Sequence, residues 1–261
     1  MSTVEVKGIV IRCVDIRESD CMLTLYTEEM GIVSALARGA KSLKSAKMPA
    51  TQLFCYSSFV LQSRQDKLWV KEASLIESFY GVRDTLEGLA VATYVTEVIS
   101  LVATEEPDND IMRLCLNTLF ALSSRRYAVE KVKAAFEIRL SSIIGFMPDV
   151  LGCQRCGASE GEFFFDIMAG AVECSECRRI SQGAGESLAM EHESHIICIL
   201  TEGARIAMEY CIYAPLERLF SFGLSETDMR FFSKAAEEYL VNHVEKGFKS
   251  LDFYNEVKGL I

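Results

Sequence analysis

The chain holds 261 residues, 50% of them apolar and 25% charged, with 27 basic against 37 acidic side chains and a net charge of −10. This balance excludes a mostly disordered or fibrous chain and a uniformly basic nucleic-acid coat, and the length suits two domains, or one plus a small module, at roughly 150 residues per domain. No apolar run approaches the ~18 residues of a membrane span. The opening residues Met1-Ser-Thr-Val-Glu-Val-Lys-Gly8 lack the apolar core of a signal peptide, so a cytosolic protein without a membrane partner is expected.

Residues 1–80 carry the period of strands. Val4 and Val6, then Ile9 and Ile11, are spaced by two, and Met22 to Thr27 alternates Leu23 and Leu25 with Thr24 and Tyr26. Thr27-Glu-Glu-Met-Gly31 reads as a turn into Ile32–Leu36, and Leu53–Leu61 and Leu68–Leu75 complete five short strands. Such a set predicts a small sandwich or barrel, and closure would protect its edges.

From about Asp84 the period becomes helical. Val91, Tyr94, Val95, Val98, Ile99 and Val102 form one stripe. Glu105-Glu-Pro-Asp-Asn-Asp110 breaks it, with Asp110 read as the cap of a helix over Ile111–Leu122. Val132, Ala135, Phe136, Leu140, Ile143, Ile144 and Met147 make a third stripe, stopped by Pro148. Ile197, Leu200, Ala204, Ala207, Met208 and Cys211 make a fourth, and Met229, Phe232, Ala236 and Leu240 a fifth. The expected plan is a barrel over 1–80, a helical domain in two parts (81–148 and 187–261), and an insertion over 149–186.

The ten cysteines divide into two groups. Cys13, Cys21, Cys55, Cys115, Cys198 and Cys211 stand alone in apolar surroundings and read as small hydrophobes, since disulfides are not expected in a reducing compartment. Cys153-Gln-Arg-Cys156 and Cys174-Ser-Glu-Cys177 are separated by 17 residues, the spacing of a four-cysteine zinc site. Two intervening residues let a tight turn aim both sulfurs at one ion, and four thiolates fill tetrahedral Zn(II), which makes the site structural rather than catalytic. Gly157 suits the turn, and Phe163-Phe-Phe165 with Val172 predicts a hairpin between the knuckles. An iron–sulfur cluster and four metal-free thiols are the alternatives.

Charge is segregated. Residues 1–80 hold 10 basic and 9 acidic side chains, a net of +1, so the remainder carries 17 and 28, a net of −11. Arg38, Lys41, Lys44 and Lys47 recur every third residue, and no acid occurs between Glu29 and Asp66. The plain reading is a solvated loop. On a small five-stranded barrel it also matches the charged groove and stacking aromatics that hold single strands. Tyr26, Phe54, Tyr56, Phe59 and Trp69 are the candidate platforms, most of them needed for the core. His192-Glu-Ser-His195 is one residue short of a zinc-protease motif, and its histidines read as helix-surface residues; no Walker sequence or G-x-S-x-G elbow exists.

Further residues recur in a recognisable order: Gly8-Ile-Val-Ile-Arg12, Glu18-Ser-Asp20, Leu23-Thr-Leu-Tyr-Thr27, Gly31, Ala37-Arg-Gly-Ala40, Lys71-Glu-Ala73, Phe136-Glu-Ile-Arg-Leu140, Gly145-Phe-Met-Pro148, Cys153-x-x-Cys156-Gly157 and Cys174-x-x-Cys177. Across essentially the whole chain this set resembles the RecO family of bacterial DNA repair proteins. Several positions after Lys41, basic in much of that family, are Ser or Ala here.

The resemblance implies an N-terminal OB-fold, a helical domain with an inserted zinc finger, and a recombination mediator rather than an enzyme. It implies binding of single- and double-stranded DNA, annealing of complementary strands, and help, with RecR, for RecA to replace single-strand-binding protein on DNA. It also implies contact with the acidic, apolar C-terminal tail of single-strand-binding protein, for which Lys131, Lys133, Arg139 and Arg205 are candidate rims. Arg38, Lys41, Lys44 and Lys47 are the expected phosphate contacts, with Arg12 and Arg64 nearby; no catalytic residue is required. A monomer in the cytoplasm, associated with the nucleoid, is expected. The other classes are a zinc-ribbon transcription or adaptor protein and a metal-dependent nuclease or transferase; the closed cysteine sphere opposes the last.

Overall fold

The computed structural model describes residues 2–64, 67–183 and 196–259. These form two compact units, residues 1–125 with 248–261, and residues 126–247. His192 and His195 lie outside the described residues.

The strands of the first unit are β1 (Thr3–Asp15), β2 (Cys21–Thr27), β3 (Gly31–Ala37), β4 (Tyr56–Arg64) and β5 (Lys67–Glu77), closed into a barrel in the order β1-β2-β3-β5-β4. The expected five strands and their closure are both present. Alternation places Val6, Val10, Leu23, Leu25, Phe59, Leu61 and Val70 in one buried core. β1 serves two neighbours. Thr3 to Ile9 pairs with β4, and Gly8 to Asp15 pairs with β2 across a register shift between Val10 and Arg12. Such a bulge bends the strand and lets it turn the corner. The last seam is thin, since parallel β3 and β5 pair only at Ala35↔Leu68 and Leu36↔Trp69.

The turn before β3 depends on its glycine. Gly31 has φ +57°, and a Cβ there would lie 2.3 Å from the Thr104 carbonyl oxygen. Thr27 Oγ1 accepts from Met30 N–H at 3.0 Å and donates to Gly31 O at 2.9 Å. β4 begins at Tyr56 rather than Leu53, because Phe54 takes a left-handed φ of 66° and its N–H turns to Val10 O at 2.9 Å.

The helices among the described residues are α1 (Leu86–Val102), α2 (Asn109–Ser124), α3 (Val129–Ile143), α4 (Ser175–Gly183), α5 (Glu202–Tyr213), α6 (Glu226–His243) and α7 (Lys249–Lys258). The first unit holds α1, α2 and α7 beside the barrel, so the helical residues are shared between both units. The cap of α2 is Asp108, not Asp110: Asp108 Oδ1 accepts from Asp110 N–H at 2.9 Å and Ile111 N–H at 3.0 Å. α7, absent from the sequence reading, packs on α1, with Phe248 edge-on to Tyr94 at 5.4 Å.

In the second unit, β6 (Phe163–Asp166), β7 (Ala171–Cys174) and β8 (Ile197–Leu200) form a sheet ordered β7-β6-β8. The β6–β7 hairpin is the expected one. β8 corrects the helical reading of Ile197 and Leu200: the free edge of β6 takes them as a strand, and the helix starts only after Thr201, whose Oγ1 accepts from Ala204 N–H at 3.2 Å. α3 likewise ends at Ile143, well before Pro148. Gly145, at φ +97°, reverses the chain while Phe146 N–H donates to Ser141 O at 2.8 Å. Of the six isolated cysteines, five are buried, but Cys13 is exposed because it lies beyond the bulge near the end of β1.

Candidate metal centre and nucleic-acid interface

The four-cysteine centre is assembled from a loop and a strand–helix junction. Cys153 N–H donates to Ala158 O and Gly157 N–H to Cys153 O, each at 2.8 Å, with Gly157 at φ +75°. This closes a tight knuckle around Cys153 and Cys156. Gln154 N–H donates to Val172 O at 3.0 Å and ties that knuckle to β7. Cys174 ends β7, and Cys177 lies in the first turn of α4, its N–H directed to Cys174 Sγ at 3.4 Å.

All four sulfurs lie within 4.8 Å of one another, and Cys156 Sγ and Cys174 Sγ are 3.7 Å apart. Tetrahedral bonds of ~2.3 Å from one zinc place sulfurs about 3.8 Å apart. The residues present therefore fit a metal ion. As thiols they conflict. Burial pushes Cys153 up, but the backbone N–H groups of Cys174, Cys156 and Arg155 outweigh it and hold it at about 6. Hydrogen bonding, first with Cys156, pushes Cys177 up to about 12. A bound cation would replace these protons with bonds to the four sulfurs. Arg205 anchors the segment leading into the finger: its Nη1 donates to Val150 O at 2.7 Å, and its guanidinium lies over Phe163.

Arg38 follows β3 and stacks on the Trp69 ring at 4.2 Å. Lys41 is exposed and ion-paired with Asp15. Lys44 is exposed, and Lys47 Nζ donates to Val70 O at 3.3 Å. The loop backbone is held at both ends, with Lys41 N–H on Ser19 O at 3.1 Å and Met48 N–H on Ser45 O at 3.2 Å. Arg12 is exposed on β1 opposite Thr24, and Arg64 is exposed at the end of β4 opposite Lys67.

Where β3 and β5 diverge, a groove of about 1140 Å³ opens between Met22, Ile32, Leu36, Leu68 and Trp69. Trp69 Nε1–H is buried there without an acceptor among the described residues. Among the candidate stacking residues, Tyr26, Phe54 and Phe59 are fully buried in the core, which leaves only Tyr56 and Trp69 partly exposed.

Residues 1–79 match the family described as Recombination protein O N terminal, and residues 83–252 match Recombination protein O C terminal. The chain belongs to the RecO family. A relative from Acetivibrio thermocellus is 33% identical over 255 residues, which cover 97% of this chain and 96% of the relative. One from Caldicellulosiruptor saccharolyticus is 27% identical over 260 residues, covering 99% and 100%. Both carry the name DNA repair protein RecO, and the family places the chain in DNA repair and recombination. No helix among the described residues is long and apolar enough to cross a membrane.

For this RecO-family chain the structure withdraws most of the basic rim expected for an acidic tail. Lys133 is fully buried between Glu137 and Glu237, at 2.8 and 2.7 Å. Arg139 closes the C-terminal end of α5 by donating to Cys211 O and Ala214 O. Arg205 is 5% exposed, and Lys131 Nζ donates to Phe222 O at 2.8 Å. Each of these cations has a partner brought to it by the tertiary fold. Sequence reasoning also missed Lys67, which lines the groove, and Asp15, which pairs with Lys41. Lys67 does follow the basic Arg64 across a turn signal, but nothing local points to Asp15.

Proposed function

We propose that the chain is a non-enzymatic recombination mediator that binds single- and double-stranded DNA and anneals complementary strands. The observation that carries this reading is the acid-free loop Arg38–Lys47, held on a closed barrel beside a groove that exposes Trp69. Annealing is limited by repulsion between two polyanions, and cations on an ordered loop lower it by releasing counterions. Arg38, Lys41, Lys44 and Lys47 take phosphates, Arg12 and Arg64 extend the track, and the Arg38–Trp69 stack offers a platform for a base. A bound base contributes about 1–3 kcal/mol through such stacking.

Within this reading the four cysteines hold one structural Zn(II), which supplies fold rather than chemistry. The family role adds RecR, single-strand-binding protein and RecA as partners in the cytoplasm, at the nucleoid. The test is annealing of complementary oligonucleotides with and without single-strand-binding protein, together with strand titration at several salt concentrations. About four neutralised phosphates give a log–log slope near −3 for single strands. Trp69, the chain's single tryptophan, reports the same titration by fluorescence. Absence of annealing and a flat slope would overturn the reading.

A further inference from the structure

Leu43 lies in the basic loop with 90% of its surface exposed, more than any other large apolar side chain among the described residues. Single exposed leucines are ordinary on proteins. This one is held out by its backbone. Ala40 is fully buried and roots the loop in the barrel core. Gly39 N–H donates to Asp20 Oδ1 at 2.8 Å. Successive turns then run from Ser42 N–H to Gly39 O at 3.2 Å and from Ser45 N–H to Ser42 O at 2.8 Å. Leu43 sits inside this chain of turns and does not fold back onto the barrel. Its neighbours are exposed and either small or cationic: Lys41, Ser42, Lys44 and Ala46.

We propose that Leu43 is an apolar wedge that enters between two stacked bases of a nucleic acid held by the flanking lysines. The proposal rests on the DNA-binding reading of the same loop and names the substrate feature that the loop senses. Leucine is among the side chains that open a base step when phosphate contacts hold the strand on both sides. Lys44, and Lys41 on exchanging its exposed partner Asp15 for a phosphate, bracket Leu43 and supply those contacts, while the small Ser42 and Ala46 let the bases approach. Stacked strands and duplexes therefore sense Leu43, and a thymine-only strand, which stacks weakly, does not. Opening base steps within a strand frees its bases for a complementary partner, which ties the wedge to annealing.

The experiment uses the full chain and oligonucleotides carrying 2-aminopurine, whose emission rises when its step is unstacked. Wild-type protein and Leu43→Met are expected to raise emission on binding a mixed-sequence duplex. Leu43→Ala and Leu43→Lys are expected to leave it flat, with Leu43→Ala weakening duplex affinity about tenfold. The affinity of Leu43→Ala for a thymine-only strand and its salt slope should equal those of the wild type, which also shows that the loop is intact. An equal emission rise with Leu43→Ala overturns the wedge while leaving DNA binding in place. A wild-type protein with no salt-dependent binding overturns the DNA reading itself, and the wedge with it.

Discussion

The two units use the same kind of side chain to opposite ends. In the barrel unit, Arg38, Lys41 and Lys44 are exposed on a loop of hydrogen-bonded turns, Arg38 stacked on Trp69 and Lys41 paired with the exposed Asp15. In the finger unit, Lys133, Arg139 and Arg205 are drawn inward to carboxylates and carbonyls. The barrel unit carries 15 basic and 18 acidic side chains, a net of −3, and the finger unit 12 and 19, a net of −7, so a cation in the finger unit has more carboxylates to meet. Lys133, Arg139 and Arg205 serve architecture, as Lys47 does on Val70 O, whereas Arg38, Lys41 and Lys44 keep exposed side chains that a polyanion can reach.

The largest effect that sharpens this contrast is metal removal. Purified protein should contain about one zinc per chain by elemental analysis. Structural zinc in such fingers contributes roughly 10–16 kcal/mol of apparent binding energy, so a strong chelator should expose the finger amides to hydrogen exchange while the barrel amides stay protected. A well-folded preparation holding less than a tenth of an equivalent of metal would contradict it.

Next is Lys133→Ala, which removes the ammonium 2.8 Å from the fully buried Glu137 and should cost about 3–5 kcal/mol by denaturant melting. Replacing the pair together, with Lys133→Met and Glu137→Leu, should recover most of that loss, because two desolvated charges disappear at once. Neither variant should change affinity for single strands. If Lys133→Ala weakened DNA binding without loss of stability, the division between the two sets of cations would fail.

Arg139→Met removes the donor to Cys211 O and Ala214 O at the end of α5. It should cost about 1–3 kcal/mol, the penalty of leaving such groups unsatisfied, and leave the salt slope unchanged. The smallest effect on stability belongs to Lys41→Ala with Lys44→Ala, within about 0.5 kcal/mol of the parent. The same double variant should flatten the single-strand salt slope by about 1.4 and weaken binding to all sequences alike. An unaltered slope with unaltered affinity would leave this loop merely solvated.

Much of this protein is local enough to be written in sequence. Five strands follow from alternation over short runs, and the metal centre follows from two Cys-x-x-Cys knuckles whose turns are set by residues within the motif. The basic loop is legible because charge is counted along the chain. What tertiary structure alone decided are the matters settled by distant partners. Ile197–Leu200 became a strand because β6 had a free edge, and α7 gained its place by covering α1. Lys133 and Arg205 left the surface because Glu237 and the Val150 carbonyl met them there from far along the chain. Charge counts and periodicity record which residues are present. Whether a cation faces water or a buried carboxylate depends on the desolvation and pairing that only the folded chain sets.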